Sequence, residues 1–323
     1  MKQIASRLLC SLLLLSLLLS LTACGKQANQ LEKTASYLQT QIAEPGAGSV
    51  GGDWLIFGLA RSGVKVPQKY FDAYYENVEA AVREKNGVLS DRKYTEYSRT
   101  VLALTAIGKN PADVAGYDLL KPLADFEQVT RQGINGTIFA LLALDSGNYE
   151  IPENPDAAVQ ATRQMYVDEL LARALPDGGW TLTGGEPDVD ITAMTLQALA
   201  KYRDQADVTA AVERGLAVLS SLQEPDGGYV SWGSSNSESV AQVIVALTEL
   251  GVPLDDERFT KNGITVEDAL LRFAQENGAF VHVRDGSGGD DGMATEQAFY
   301  ALAAIHRAET GETTLYDMTD VMQ

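Results

Sequence analysis

The sequence predicts an all-α protein that folds as a single α6/α6 toroid built from six helical hairpin repeats. Six segments of low charge recur at intervals of 37 to 55 residues, and a segment with one apolar face and one charged face precedes each of them. This period fits one helical hairpin per repeat. Because there are six pairs, we expect them to close into a double ring rather than extend as an open solenoid.

The six amphipathic segments are predicted to form the outer ring. Their apolar face packs inward and their charged face meets solvent. They are Leu31–Ala43, Gln68–Lys85, Tyr117–Val129, Ala157–Ala174, Val208–Gln223 and Thr265–Glu276.

The low-charge segments are apolar or small on every side, which predicts helices that are covered all round in an inner ring. They are Asp53–Ala60, Arg99–Gly108, Gly136–Leu144, Asp190–Leu199, Ser239–Leu247 and Thr295–Leu302. Turns rich in glycine and proline separate the repeats, and no linker marks a second domain. The predicted toroid spans residues 31–309. Residues 310–323 are predicted to be a tail with too little apolar surface to form structure.

The first 23 residues are predicted to be a lipoprotein signal peptide. A short cationic start precedes Leu8–Leu21, an apolar run that is too short to span a bilayer and suits a secretory signal. The run ends in Leu21-Thr22-Ala23-Cys24, which resembles the bacterial lipobox. This resemblance implies lipidation of Cys24, with residues 24–30 as a short linker. We expect a protein anchored in the lipid bilayer on the extracytoplasmic face of the bacterial cell membrane; an uncleaved signal anchor is the alternative.

The composition excludes several classes of partner and site. A formal net charge of −19 disfavours nucleic acids and anionic lipid surfaces as partners. The two cysteines are Cys10, in the signal peptide, and Cys24, at the anchor. A cysteine nucleophile, a zinc–thiolate site and a disulfide are therefore excluded, and we expect no cofactor.

The turns between repeats carry a family resemblance. Gln223-Glu224-Pro225-Asp226-Gly227-Gly228-Tyr229 resembles the repeat of terpenoid cyclases and protein prenyltransferases, in which Gln, Asp-Gly and an aromatic residue recur at this spacing. Ala174–Trp180 repeats it without the glutamine, and Gln275–Phe280 repeats it one residue shorter. The resemblance implies an α/α toroid. That superfamily includes squalene and diterpene cyclases, prenyltransferase β subunits, complement thioester domains, transcobalamin and intrinsic factor.

The activities of that superfamily can be compared with particular residues. Prenyltransferase zinc and complement thioester chemistry both require a cysteine, which the mature chain lacks apart from Cys24. Asp188-Val189-Asp190-Ile191 resembles the Asp-x-Asp-Asp motif of class II cyclases, with isoleucine in place of the last aspartate. A divergent terpenoid cyclase is therefore one alternative. The alternative role of Asp188 and Asp190 is capping the helix that they precede.

Repeat register predicts a pair of carboxylates. Aligning the inner segments places Asp190 level with Glu238 on the adjacent helix, and places Gln242 level with Gln297 on the next. Helices in contact have axes about 8–10 Å apart, so Asp190 and Glu238 could flank one ligand as the acids of an inverting glycosidase do. Asp190, Glu238 and Asp188 are the candidate catalytic residues if the protein is an enzyme. The alternative is that Glu238 is only a first-turn acid that favours the helix dipole.

Binding without catalysis is the interpretation that the sequence favours. Polar side chains on otherwise apolar inner helices need partners, which a ligand could supply. Aromatic residues near the same rim could stack on it, although such residues also serve as packing between repeats. The candidate ligand-binding residues are Trp54, Tyr97, Trp180, Asp190, Tyr229, Trp232, Glu238, Gln242 and Gln297.

A metal site is not predicted, apart from one weak calcium candidate. Asp285, Asp290 and Asp291 lie in a glycine-rich loop, but the loop lacks the glutamate that ends the usual calcium loop. We therefore expect a membrane-anchored lipoprotein whose cavity binds a small or extended ligand, corrinoid-like or other. The alternatives are a glycan-cleaving or terpenoid-cyclising enzyme, and an interaction scaffold without an open cavity.

Overall fold

The structure, a computed structural model, describes residues 29–285 and 292–321 and consists mainly of helices. One short antiparallel hairpin joins β1 (Val230–Ser231) to β2 (Ser234–Ser235). In the described ranges no helix combines the length and the apolar character that crossing a bilayer requires. The helices are α1 (29–41), α2 (Trp54–Arg61), α3 (Gln68–Glu84), α4 (Thr95–Ala106), α5 (Phe126–Arg131), α6 (Ile134–Ser146), α7 (Arg163–Ala172), α8 (Val189–Leu199), α9 (Ala206–Leu222), α10 (Ser237–Glu249), α11 (Val266–Leu271) and α12 (Gly292–Thr310).

The even-numbered helices form a closed inner ring. Each packs against the next along the chain, and α12 packs against α2. Their sequences explain this position, because nearly every residue of α6 and α10 is buried, as expected for a helix covered on both sides. The predicted α/α toroid is thereby confirmed, and the open solenoid is excluded.

The odd-numbered helices supply the outer layer. α5 and α7 pack on α6, α9 packs on α8, and α11 packs on α10. In α3 the buried residues Tyr74, Val78 and Val82 are spaced by four, so they form the single apolar stripe that a surface helix needs.

Three outer helices are shorter than predicted: the one within Thr265–Glu276 ends at Leu271, and the other two begin late. Within Tyr117–Val129 the chain forms a 3₁₀ turn at Lys121–Ala124, becomes extended at Asp125, and only then begins α5. Within Ala157–Ala174 the helix begins at Arg163, because Thr162 is extended and its side chain accepts a hydrogen bond from the Met165 amide. In both cases a capping side chain stops the helix from extending toward its N-terminus.

Side chains fill the middle of the inner ring. The Trp54 ring lies 5.7 Å from the Phe139 ring and 6.0 Å from the Tyr300 ring, so it joins α2 to α6 and α12. Closer to the C-terminal ends of these helices, Phe57 stacks on Tyr316 at 5.2 Å. The toroid therefore has no open channel at these levels.

The prediction that residues 310–323 form no structure is wrong for the part of this tail that is described, up to residue 321. Leu315 and Met318 are fully buried. The Arg61 guanidinium donates to the Leu315, Thr314 and Asp317 carbonyls and to the Asp320 carboxylate. The Met318 amide donates to the Ser146 carbonyl at the end of α6. The tail thus lies across the C-terminal ends of the inner helices.

Candidate functional site

A cavity of about 410 Å³ opens at the opposite rim, where the inner helices begin. Residues from the first turns of α8, α10 and α12 form its wall, and the β1–β2 hairpin borders it. Eight of the eleven lining residues have polar side chains, but apolar atoms, including those of Met194, Trp232 and Met293, form the larger part of the cavity surface. The lining residues are Asp190, Met194, Ser231, Trp232, Ser234, Asn236, Glu238, Gln242, His282, Met293 and Gln297.

Asp190, the second residue of α8, contributes a carboxyl group to this cavity. Burial raises its pKa from 3.8 to about 6, because the protein solvates the charged form less well than water does. The neighbouring Ser239 hydroxyl acts in the opposite direction, and the negative charges of Asp188 and Glu238 add to the increase. The Asp190 Oδ1 atom is buried and accepts no hydrogen bond from the described residues. This carboxyl therefore keeps an acceptor site and, below about pH 6, a proton.

Asp188 has a different role. Its Oδ1 accepts a hydrogen bond of 2.9 Å from the Ile191 amide, and its Oδ2 accepts one of 3.1 Å from the Ser231 hydroxyl. The capping interpretation is therefore the correct one for Asp188. Asp188 does not line the cavity that holds Asp190.

Glu238 enters the cavity from the first turn of α10. Asn236 is the N-cap of that helix, since its side chain accepts a hydrogen bond from the Ser239 amide at 2.8 Å. The Glu238 side chain instead lies against His282, whose Nδ1 is 2.9 Å and 3.0 Å from the two carboxylate oxygens. The Ser237 hydroxyl also donates to Oε2, at 3.1 Å. Glu238 is thus held in place from two sides.

Three glutamine side chains joined by hydrogen bonds lie at the bottom of the cavity. Gln197 Nε2 donates to the Gln242 backbone carbonyl and to Gln242 Oε1, at 2.9 Å and 3.0 Å. Gln242 Nε2 in turn donates to Gln297 Oε1 at 3.0 Å and to the Tyr300 hydroxyl. These hydrogen bonds link α8, α10 and α12. They hold together the helices that carry Asp190 and Glu238.

Trp232 lies in the turn of the β1–β2 hairpin, at the opening of the cavity. The turn consists of Trp232 and Gly233, both with positive φ (51° and 84°), which is the conformation of a two-residue type I′ turn. Trp232 is 79% exposed, although it is a large apolar residue. A broad aromatic surface is therefore presented beside the two carboxyls.

Comparison with known proteins identifies the fold. No protein-family model and no curated protein matches the sequence. Solved structures do match. Unsaturated glucuronyl hydrolase from a Bacillus species has a TM-score of 0.51 and 14% identity over 90% of this chain and 98% of that chain. Type II terpene cyclase MstE from Scytonema, in complex with geranylgeranyl dihydroxybenzoate, has a TM-score of 0.54 and 13% identity over 88% and 98%. A glycosidase in complex with glucose has a TM-score of 0.53 and 14% identity over 87% and 98%.

The chain has the fold of the α/α toroids. At such identities the likeness extends to the fold and not to the activity. The chemistry of the cavity is therefore determined by its own residues.

Four of the predicted aromatic residues lie away from the cavity. Trp180 and Tyr229 are fully buried, and the Trp180 indole nitrogen donates to the Leu170 carbonyl at 2.7 Å. Tyr97 is also buried, and Trp54 belongs to the packed centre of the ring. Expecting Tyr97, Trp180 and Tyr229 to stack on a ligand is incorrect for this structure, because their buried rings pack the repeats against one another, whereas Trp54 is half-buried. Asp190, Trp232, Glu238, Gln242 and Gln297 do line the cavity.

Two other predicted sites fall largely outside the described residues. Cys24 lies there, and so do Asp290 and Asp291 of the calcium candidate. Asp285 lines a neighbouring surface cavity together with Arg284. Across residues 29–285 and 292–321, no cluster of three potential metal ligands occurs.

His282 and Ser231 are site residues that the sequence argument missed. Each follows by two positions the aromatic residue that ends a glycine turn, Phe280 and Tyr229 respectively. Those aromatic residues are buried, and in an extended chain residues two positions apart point to the same face, so Ser231 and His282 lie on the inward-facing side of the rim. The repeat register therefore contained the signal that identifies them.

Proposed function

We propose that the cavity binds a saccharide and cleaves its glycosidic bond by acid–base hydrolysis. The observation that carries this proposal is the Asp190 carboxyl, whose pKa is raised to about 6 beside a second carboxyl, Glu238, in the same open cavity. Glycoside hydrolases usually act through two carboxyl groups whose environments give them different pKa values.

In this proposal Asp190 is the general acid and Glu238 is the general base. The protonated Asp190 donates its proton to the glycosidic oxygen as the bond from that oxygen to the sugar carbon breaks. Glu238 accepts a proton from the water whose oxygen bonds to that carbon. α8 and α10 pack directly together, and their axes are expected to be about 8–10 Å apart, a spacing compatible with the inverting geometry of about 6.5–9.5 Å between carboxyls.

The lining favours a saccharide over a polyene. Hydroxyl, amide, imidazole and carboxyl groups of eight residues line the cavity, and they match the hydrogen-bonding groups of a sugar. A polyene would leave these groups without partners. The open cavity also argues against a pure scaffold, which needs no such site. A terpenoid or a large corrinoid ligand is therefore the weaker proposal.

Binding without catalysis is a second candidate, and one observation favours it. Both Glu238 oxygens lie within 3.0 Å of His282 Nδ1, and one also accepts from Ser237. A carboxylate engaged in this way has less capacity left to activate a water molecule. In that case the same cavity would serve as a receptor.

Asp190→Asn distinguishes the two candidates. Removing the proton donor should lower cleavage of neutral oligosaccharides by at least about 100-fold while binding is retained. Wild-type cleavage should also fall as pH rises through about 6, since the acid must carry its proton. Product formation can be followed by mass spectrometry of the released sugars.

Asp156→Asn is the matched control, because its side chain is 83% exposed on the outer surface. It should leave cleavage unchanged. Wild-type protein that binds an oligosaccharide without shortening it would establish the receptor instead. Wild-type protein that binds no saccharide would refute both candidates.

We also propose that the protein works at the extracytoplasmic face of the bacterial membrane, held by a lipid on Cys24. The lipobox-like Leu21-Thr22-Ala23-Cys24 supports this proposal. We expect Cys24→Ser, expressed in a bacterial host, to move the protein from the membrane fraction to the soluble fraction and to abolish labelling by a radioactive fatty acid. Ser11→Ala, in the apolar run, is the control. Membrane retention of unlabelled Cys24→Ser would contradict the lipid anchor.

A further inference from the structure

Trp232 separates the candidate site from a second cavity. This neighbouring cavity, of about 240 Å³, is lined by residues 181–184 and 186–188 together with Trp232. Trp232 is the one described residue that lines both cavities. Trp232 therefore lies at the boundary between two adjacent spaces.

Both the backbone conformation and the exposure of Trp232 are unfavourable for a tryptophan. Positive φ is uncommon for a bulky residue, and a two-residue hairpin turn of this type normally carries Asn-Gly or Asp-Gly. Tryptophan here costs free energy in the turn and leaves most of its apolar surface exposed to water. A ligand that covers the indole would recover part of that cost.

The charges around the two cavities are acidic. Asp190 and Glu238 line one cavity, and Glu186 and Asp188 line the other. In the described part of the chain, no lysine or arginine lines either of them, and His282 is the one basic side chain. A chain of uronic acids or sulfated sugars would place negative charge against these groups, which is unfavourable.

We infer that the site takes an internal stretch of a neutral saccharide chain, with sugar units on both sides of Trp232 and one of them stacked on the indole. This inference rests on the proposed saccharide site and specifies its substrate. A single sugar or a disaccharide fills one cavity only, whereas a longer chain spans both. Chain length and charge are therefore the two determinants of recognition.

Binding of defined oligosaccharides tests the inference. The probes are neutral β-linked gluco-oligosaccharides of two to six units and oligogalacturonates of the same lengths, titrated calorimetrically into Asp190→Asn protein so that they are not cleaved. Affinity for the neutral series should rise steeply between two and four units. The acidic series should bind more weakly at every length.

Trp232→Asn and Trp232→Tyr separate the loss of the ring from damage to the turn. Asparagine suits a positive φ and keeps the hairpin without an aromatic ring, so affinity for four units or longer should fall about tenfold while affinity for two units changes little. Tyrosine should retain most of the affinity. Trp232 is also far more exposed than Trp54 and Trp180, so a bound chain should protect wild-type fluorescence from acrylamide quenching.

The outcomes keep this inference apart from the proposed function. If Trp232→Asn binds every length as the parent does, or if oligogalacturonate binds more tightly than the neutral series, the inference fails while a saccharide site stands. If the parent protein binds no saccharide of any length, the proposed function itself has failed.

Discussion

At the scale of single residues, Asp190 combines two properties that rarely occur in one surface acid. It lines an open cavity, yet one of its oxygens is buried and lacks a hydrogen bond from the described residues. The folded state therefore holds its proton more tightly than the unfolded chain does, which raises its pKa to about 6.

The sign of this shift gives a stability prediction. Because the pKa of the folded state is raised, the charged carboxyl destabilises the protein fully above about pH 6, and this cost disappears as pH falls below the unfolded value of 3.8. We expect Asp190→Asn to raise the free energy of unfolding by about 1 kcal/mol at pH 8 and to have little effect at pH 4. Urea denaturation at the two pH values measures this. An equal effect at both would contradict the assignment.

The residues of the site also show what the sequence could predict. Repeat register was sufficient to place Gln242 beside Gln297, because neighbouring inner helices start at the same rim. It was insufficient for the aromatic residues, since Trp180 and Tyr229, which directly follow glycine turns, point into the core, whereas Trp232, in the hairpin turn, points outward. That choice depends on backbone dihedrals, which composition does not reveal.

At the scale of elements, the C-terminal tail differs most from expectation. It contains few apolar residues and no periodic pattern, so hydropathy gives no signal for it. Its attachment depends on two buried arginines instead. Arg61 and Arg307 both bind the Asp320 carboxylate, at 2.8 Å and 2.7 Å, and Arg61 also binds three tail carbonyls.

Arg61→Ala tests the importance of this attachment. Removing a buried arginine leaves the Asp320 carboxylate with one cation and several carbonyls without donors, so we expect a loss of about 3 kcal/mol in the free energy of unfolding. Arg83→Ala is the control, because its ion pair with Glu79 is exposed and should matter by less than about 0.5 kcal/mol. Chemical denaturation measures both. Similar small losses for the two variants would show that the tail is only weakly attached.

At the scale of the whole molecule, closure of the ring distinguishes this protein from a linear array of hairpins. In an open array each repeat touches only its neighbours, and the ends can unfold separately. Here α12 packs against α2 as well as α10, and the tail contacts both Arg61 in α2 and Ser146 at the end of α6. The first and last repeats therefore stabilise each other.

This closure predicts a single cooperative unfolding transition. Helix content, followed by far-ultraviolet circular dichroism, and the fluorescence of the half-buried Trp54 and the buried Trp180 should change at the same urea concentration. Trp232→Tyr protein should be used, so that the exposed indole does not contribute. Two separate midpoints would indicate that part of the ring unfolds independently.

The packed middle of the ring makes the molecule a cup rather than a channel. Trp54, Phe139 and Tyr300 fill its centre, and the tail covers the far end. A polymer cannot thread through such a body, so entry and exit must use the same mouth. Any long ligand has to lie across the rim.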